Sequence, residues 1–125
     1  MVEQFEMPKG EYLIGDPCIL LPDKIYNYWG IQKCGRDGSY FVDGHYFCCI
    51  GVGDDGFYGT SDPNIEYSTD SGTLAVVNAK LVDPSKLDKM MTFCTHHRFI
   101  VPVIVARIRN TLMIHSGKFY RYIYI

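Results

Sequence analysis

The stretch FIVPVIVARIRNTLMIHSGKFYRYIYI, residues 99–125, decides the fold class. Three β-prone runs, 99–109, 112–115 and 118–125, are separated by Asn110-Thr111 and Ser116-Gly117. Connections of two residues join antiparallel neighbours, so the segment predicts a C-terminal antiparallel meander. Successive side chains of a strand point to opposite faces. In the last run this puts Tyr120, Tyr122 and Tyr124 on one face and Phe119, Arg121, Ile123 and Ile125 on the other. With Ile123 and Ile125 turned to a core, the tyrosines line an outward face.

Upstream, the same β pattern repeats in shorter pieces. Residues 11–14 read as a strand that turns at Gly15-Asp16-Pro17, and 18–21 as resumed extended structure. Residues 40–42 and 45–52 flank Asp43-Gly44, a hairpin signal. Residues 57–60 form a further short strand, and 65–68 and 73–78 flank the turn 69–72. Two helices interrupt the strands. Ile25, Tyr28 and Trp29 share one face of a short helix near 23–30, with Gly30 as its stop. Asp83-Pro84 supplies an N-cap and a first-turn proline. Leu87, Met90, Met91 and Cys94 then follow at helical spacing, so an amphipathic helix is expected near 84–96. The class is α+β: mostly antiparallel sheet, as a sandwich or a partly open barrel, with these two helices.

Composition sets the frame. A chain of 125 residues, 47% hydrophobic and 21% charged, supports one domain, 1–125, with one core. Residues 1–9 lack the apolar stretch of a secretory signal. The longest apolar run, 99–106, is broken by Pro102 and is far short of the roughly 18–20 residues of a membrane span. The cysteines are Cys18, Cys34, Cys48, Cys49 and Cys94. Their odd number, the adjacent pair and the lack of Cys-x-x-Cys spacing predict free thiols in a reducing, cytoplasmic setting.

Charge is divided along the chain. All fourteen acids lie at or before Asp88 against six bases, a formal charge of −8. From Lys89 onward there are six bases and no acid, a charge of +6. The two segments either pair within the fold or leave a basic face for an anionic partner.

The turn Tyr12-Leu13-Ile14-Gly15-Asp16-Pro17-Cys18 is the most distinctive motif. Asp16 can fold its carboxylate onto backbone N–H groups, making a rigid bend. A carboxylate fixed in this way also suits a ligand, a metal or a proton transfer. The stretch resembles a family of small bacterial and phage proteins of unknown function with a Tyr-x-Ile-Gly-Asp-Pro-Cys-aromatic signature. In that family a tryptophan-bearing helix follows, as Trp29 does here. Next come a Gly-Asp-Gly-x-Tyr segment and a Val-Asp-[Ala or Ser]-Gly segment. Here these are Gly53-Asp54-Asp55-Gly56-Phe57-Tyr58, with one extra aspartate, and Thr69-Asp70-Ser71-Gly72, with threonine for valine. Ile19 replaces the usual aromatic. The resemblance spans about residues 11–83 and implies a phage or prophage context. It supplies no activity. Gly15, Asp16, Pro17, Asp70 and Gly72 are its structural-motif residues in this chain.

No Walker loop, Gly-x-Gly-x-x-Gly, Gly-x-Ser-x-Gly elbow or zinc-finger spacing is present. The acids Asp54, Asp55, Asp62, Glu66 and Asp70 lack the spacing of an EF-hand loop and fit an acidic rim as well. His45 with Cys49 on one strand, His96 and His97 at a helix end, and Cys94 with His97 are candidate metal or nucleophile pairs without supporting motifs. The expectation is therefore a non-enzymatic protein with no metal or cofactor. Its first reading is a phage-type accessory protein that binds and inhibits a host protein, a defence effector being one candidate. Its contact residues would be Arg107, Arg109, Lys118, Tyr120, Arg121, Tyr122 and Tyr124, since rigid tyrosines beside cations form protein hot spots. The second reading is a module that sequesters a nucleotide or other anionic ligand, with the same cations on phosphate, tyrosines stacked on the base, and His96 or His97 assisting. The third is a small hydrolase built on Asp16 and Asp70.

Overall fold

Alternating and continuous apolar runs separate the strands into two kinds, and the computed structural model, which describes residues 3–86 and 94–125, shows why. The strands are β1 (Glu3–Met7), β2 (Gly10–Gly15), β3 (Gly38–Val42), β4 (His45–Gly51), β5 (Gly56–Gly59), β6 (Glu66–Thr69), β7 (Thr73–Asn78), β8 (Thr95–Phe99), β9 (Val103–Ile108), β10 (Thr111–Ser116) and β11 (Phe119–Tyr124). The helices are α1 (Pro17–Leu20) and α2 (Asp23–Gln32), with a 3-10 turn at Pro84–Lys86. One sheet has the order β1-β9-β10-β11 and the other β3-β4-β7-β2-β8; β5 and β6 form a separate hairpin. Every strand pairing is antiparallel.

The two sheets pack face to face. Tyr12, Ile14, Cys48, Ile50, Val76 and Phe99 from the five-stranded sheet meet Met7, Val103, Val105, Leu112, Ile114 and Ile123 from the four-stranded one. This interface leaves no water-sized cavity. The other face of the five-stranded sheet carries Leu13, Phe47, Cys49, Ala75 and Val77, covered by Leu20, Leu21, Ile25, Trp29, Leu81 and Val82. The central strands β4, β7 and β2 of the five-stranded sheet are thus buried on both sides, which requires near-continuous apolar runs such as 73–77. Adjacent Cys48 and Cys49 illustrate it: the first faces one core and the second the other. The four-stranded sheet is covered on one side, so its strands alternate. The fold is an open antiparallel sandwich with a helical layer on one side, in the α+β class.

The hairpin at Asp43-Gly44 and the meander form as expected. Each meander turn lies one residue from its expected place, at Arg109-Asn110 and Gly117-Lys118. Three local expectations are corrected. Residues 18–21 are not a strand, because Asp16 caps α1 by accepting the Cys18 N–H at 3.0 Å and Pro17 opens its first turn. Helix α2 passes through Gly30 and ends where Cys34 and Gly35 take φ of 55° and 58°, with the Gly35 N–H bonded to the Trp29 carbonyl. The helix expected near 84–96 begins only as the 3-10 turn, residues 87–93 lie outside the described residues, and its expected end is strand β8. Pairing of β8 with β2, with Leu13 opposite His96 and Glu11 opposite Arg98, fixes that end as sheet edge.

Candidate functional site

The outer face of the four-stranded sheet is built from three cross-strand rows. Tyr120 lies opposite His115 and then Ile104; Tyr122 lies opposite Met113 and then Ala106; Tyr124 lies opposite Thr111 and then Ile108. Glu6 and Gln4 of β1 continue the first two rows beside Ile104 and Ala106. Tyr120, Tyr122 and Tyr124 are 52%, 38% and 54% exposed, and Ile108 is exposed with them. His115 stacks on Tyr120 with ring centroids 4.2 Å apart, which holds that ring against the sheet. Among the described elements, none covers this face. The tyrosine side points outward because Ile123, on the other side of the same strand, is fully buried.

The expected cations divide into two groups. Arg109 and Lys118 are exposed in the turns at opposite ends of the meander. Arg107 and Arg121 point the other way. Arg107 donates to the Gly51 carbonyl at 2.6 Å and lies 3.7 Å from the Asp37 carboxylate. Arg121, only 8% exposed, donates to the Tyr67 hydroxyl at 3.0 Å and to His97 Nε2 at 3.2 Å, with Asp62 at 3.8 Å. The register that exposes the tyrosines therefore places both arginines on the opposite face of the sheet, Arg121 buried and Arg107 half-exposed. Arg107 and Arg121 thus pair with acids from the N-terminal two-thirds, as does His96 with Glu11 at 3.2 Å. The charge division is partly neutralised by folding.

Around Arg121 a polar chain crosses the sheet-to-sheet core. Tyr67 and Thr95 share a hydroxyl–hydroxyl bond, and Thr95 Oγ1 lies 2.8 Å from His97 Nε2. Arg121 can only donate. His97 Nε2 therefore accepts, and the neutral ring carries its proton on Nδ1. Burial, then the Arg121 charge, then His96 push the His97 pKa down to about 4. Burial also raises the Tyr67 phenol, against its hydrogen bonds with Thr95 and Arg121. His96 and His97 lie in β8, so the expected placement at a helix end, with its dipole, does not apply. Half-buried Cys94 packs on the helix-side core, whereas His97 stacks on Phe99 of the sheet-to-sheet core, so the two face opposite sides.

Asp16 is 3% exposed and saturated with donors. Its Oδ1 accepts the Cys18 N–H at 3.0 Å and the Ser71 hydroxyl at 2.7 Å; its Oδ2 accepts the Asp70 N–H at 2.6 Å. The carboxylate thus clips the β6–β7 turn to the start of α1. What Asp16 meets is the Asp70 backbone, while the Asp70 side chain belongs to an exposed residue. The hydrolase reading relied on the two as a carboxylate pair, and the bonds at Asp16 join a carboxylate to a turn instead. Gly15 ends β2 opposite Ala75, and Pro17 opens α1. Gly72 has φ of +68°, and a Cβ there would lie 2.6 Å from the Gly53 carbonyl oxygen. Burial first, then Cys18 and Asp16, push the neighbouring Tyr26 phenol up, with Ser71 opposing the shift.

Burial raises the thiols of Cys48 and Cys49. Both are packing groups. Among the described residues no group of three or more His, Cys, Asp or Glu is arranged to hold a metal ion, and no helix is long and apolar enough to cross a membrane. Residue reasoning missed Asp37, Ser71 as the partner of Asp16, and the link of His97 to Thr95 and Tyr67. The one available signal was Arg121 itself, an arginine in register with the core-facing Ile123. No known protein family, curated protein or solved structure matches the chain.

Proposed function

We propose that this protein is an interaction module, a phage-type accessory protein that binds and inhibits a host protein, with the open tyrosine face as its contact surface. The observation that carries the reading is three exposed tyrosines in register with Met113, His115 and Thr111 on a sheet face that no described element covers. Tyrosine gives a large, stiff, amphipathic contact at low entropic cost. The sheet beneath is held by a full core, so the face is preorganised. The occupant it suits is a protein surface with an apolar or aromatic centre and an acidic rim, because Arg109 and Lys118 bracket the face at its two ends. A second copy stacked along the strands would set these cations against each other, which disfavours self-association. The phage context of the N-terminal motif supports a host partner, and a defence effector is the kind of target such a protein would inhibit.

Capture from host lysate tests this with two variants beside the wild type. A host protein retained by the wild type should be lost with Tyr120, Tyr122 and Tyr124 all changed to Ser. It should be weakened by Arg109→Glu with Lys118→Glu. Equal retention by all three proteins would overturn the assignment of the face. The nucleotide-sequestering reading is less well supported, because Arg107 and Arg121 are engaged with Asp37 and Asp62.

A further inference from the structure

The hairpin of β5 and β6 lies along the edge of β11. An antiparallel bridge sets Thr60 opposite Ile123, and the Ser61 N–H donates to the Tyr122 carbonyl at 2.8 Å. The Tyr122 N–H in turn donates to the Ser61 hydroxyl at 3.0 Å. Residues directly opposite in an antiparallel pair share a face, and their chain neighbours take the other. Thr60 is therefore on the core side with Ile123, and Tyr58, two residues earlier, packs on that same core. Gly59 and Ser61 fall beside Tyr124 and Tyr122 on the outer side. Gly59 is exposed and lies opposite exposed Glu66 of β6. Phe57, two residues before Gly59, shares its side of β5 and is exposed as well.

One cross-strand row thus runs through Ile108, Thr111, Tyr124, Gly59 and Glu66, over β9, β10, β11, β5 and β6. Strand β11, which ends the four-stranded sheet, becomes the fourth of six strands on this face. The tyrosines then stand near its middle, where the hot-spot residues of protein interfaces concentrate. The charges around them alternate. Arg109 and Lys118 stand at the two ends of the strands, while Glu6 on β1 and Glu66 on β6 stand at the two side margins. All four are exposed, and no ion pair among the described residues engages any of them.

We infer that the contact surface includes the β5–β6 hairpin, and that the partner protein meets it with acidic groups at two opposite ends and basic groups at the two sides, around an apolar or aromatic centre. The inference rests on the reading of the tyrosine face as a protein contact and deepens it. Complementary charges select the partner and its register more than they add affinity. The pattern therefore specifies how the partner is turned on the face as well as what it carries. Gly59 keeps the surface flat between Tyr124 and Glu66. A Cβ added there would meet nothing within 4 Å, and its backbone lies outside the left-handed region, so a larger residue fits the fold at this position.

Calorimetric titration of the host protein retained by the wild type, once purified, against Gly59→Arg, Glu66→Lys and Tyr122→Ala tests the extension. Gly59→Arg raises a long cation beside Tyr124 and should increase the dissociation constant about tenfold or more. Glu66→Lys should increase it about threefold or more in about 50 mM salt, and by less in about 0.5 M salt. Backbone amide spectra that match the wild type away from the hairpin show that both variants keep the fold. Wild-type affinity in both hairpin variants, with weak binding by Tyr122→Ala, would overturn the extension and leave the tyrosine face standing. Tighter binding by Glu66→Lys would overturn the charge pattern. No retained host protein, or a wild-type dimer in sedimentation that Gly59→Arg dissociates, would overturn the extension together with the reading it rests on.

Discussion

Asp16 does at the residue scale what a loop of this length needs. One buried carboxylate satisfies three donors and ties two turns that are 54 residues apart in sequence. Asp16→Ala leaves the Asp70 N–H and the Ser71 hydroxyl without their acceptor, and should lower stability by about 2–4 kcal/mol in urea denaturation. Asp16→Asn keeps one acceptor but turns an amide N–H toward a donor, and should cost about 1–3 kcal/mol. His97 gives a pH dependence. Its folded pKa, about 4, lies below the ordinary 6.5. The unfolded chain therefore takes up the proton first as pH falls. The contribution is fully present above about pH 6.5 and is lost progressively as pH falls to about 4. His97→Gln should flatten that part of the stability profile relative to wild type; a profile that runs parallel to wild type would contradict it. Residue-level reading found Asp16 because Asp-Pro after glycine has a local meaning. It could not find Ser71 as its partner, since that contact depends on how β2, β6 and β7 are arranged.

Elements were legible where one face meets water. Strands β10 and β11 alternate because only one side of their sheet is covered, so their tyrosine and core faces follow from spacing alone. Residues 18–21 were not legible, because four consecutive apolar residues carry no period to distinguish helix from strand. The Asp-Pro logic applied at 83–84 also describes 16–17. Asp83 does accept the Ser85 N–H at 3.0 Å, but the chain is in β8 by Thr95. Two element-level outcomes can be measured. Gly72→Ala places a Cβ against the Gly53 carbonyl at a positive φ. It should cost about 1–3 kcal/mol, read as a lower denaturation midpoint. Thiol labelling of the native protein should modify exposed Cys34 readily and spare Cys48 and Cys49 until global unfolding.

At the scale of the molecule the layers assign different tasks to the two sheets. The five-stranded sheet, whose central strands are packed on both faces, is scaffold. The four-stranded sheet presents one face to solvent, and folding removes Arg107 and Arg121 from that face while leaving Arg109 and Lys118 at its ends. The division of charge was plain in the chain, but its partial neutralisation required the topology that brings Asp37 to Arg107 and Asp62 to Arg121. The tyrosine face carries the central claim, and calorimetric titration of the captured host protein against two single variants tests it most directly. Phe41, an exposed aromatic on β3 in the other sheet, serves as the control. Tyr122→Ala should weaken binding about tenfold or more, the loss of roughly 1.4 kcal/mol or above expected of a hot-spot tyrosine, while Phe41→Ala leaves the dissociation constant unchanged. Unchanged affinity in Tyr122→Ala, with loss in Phe41→Ala, would contradict it.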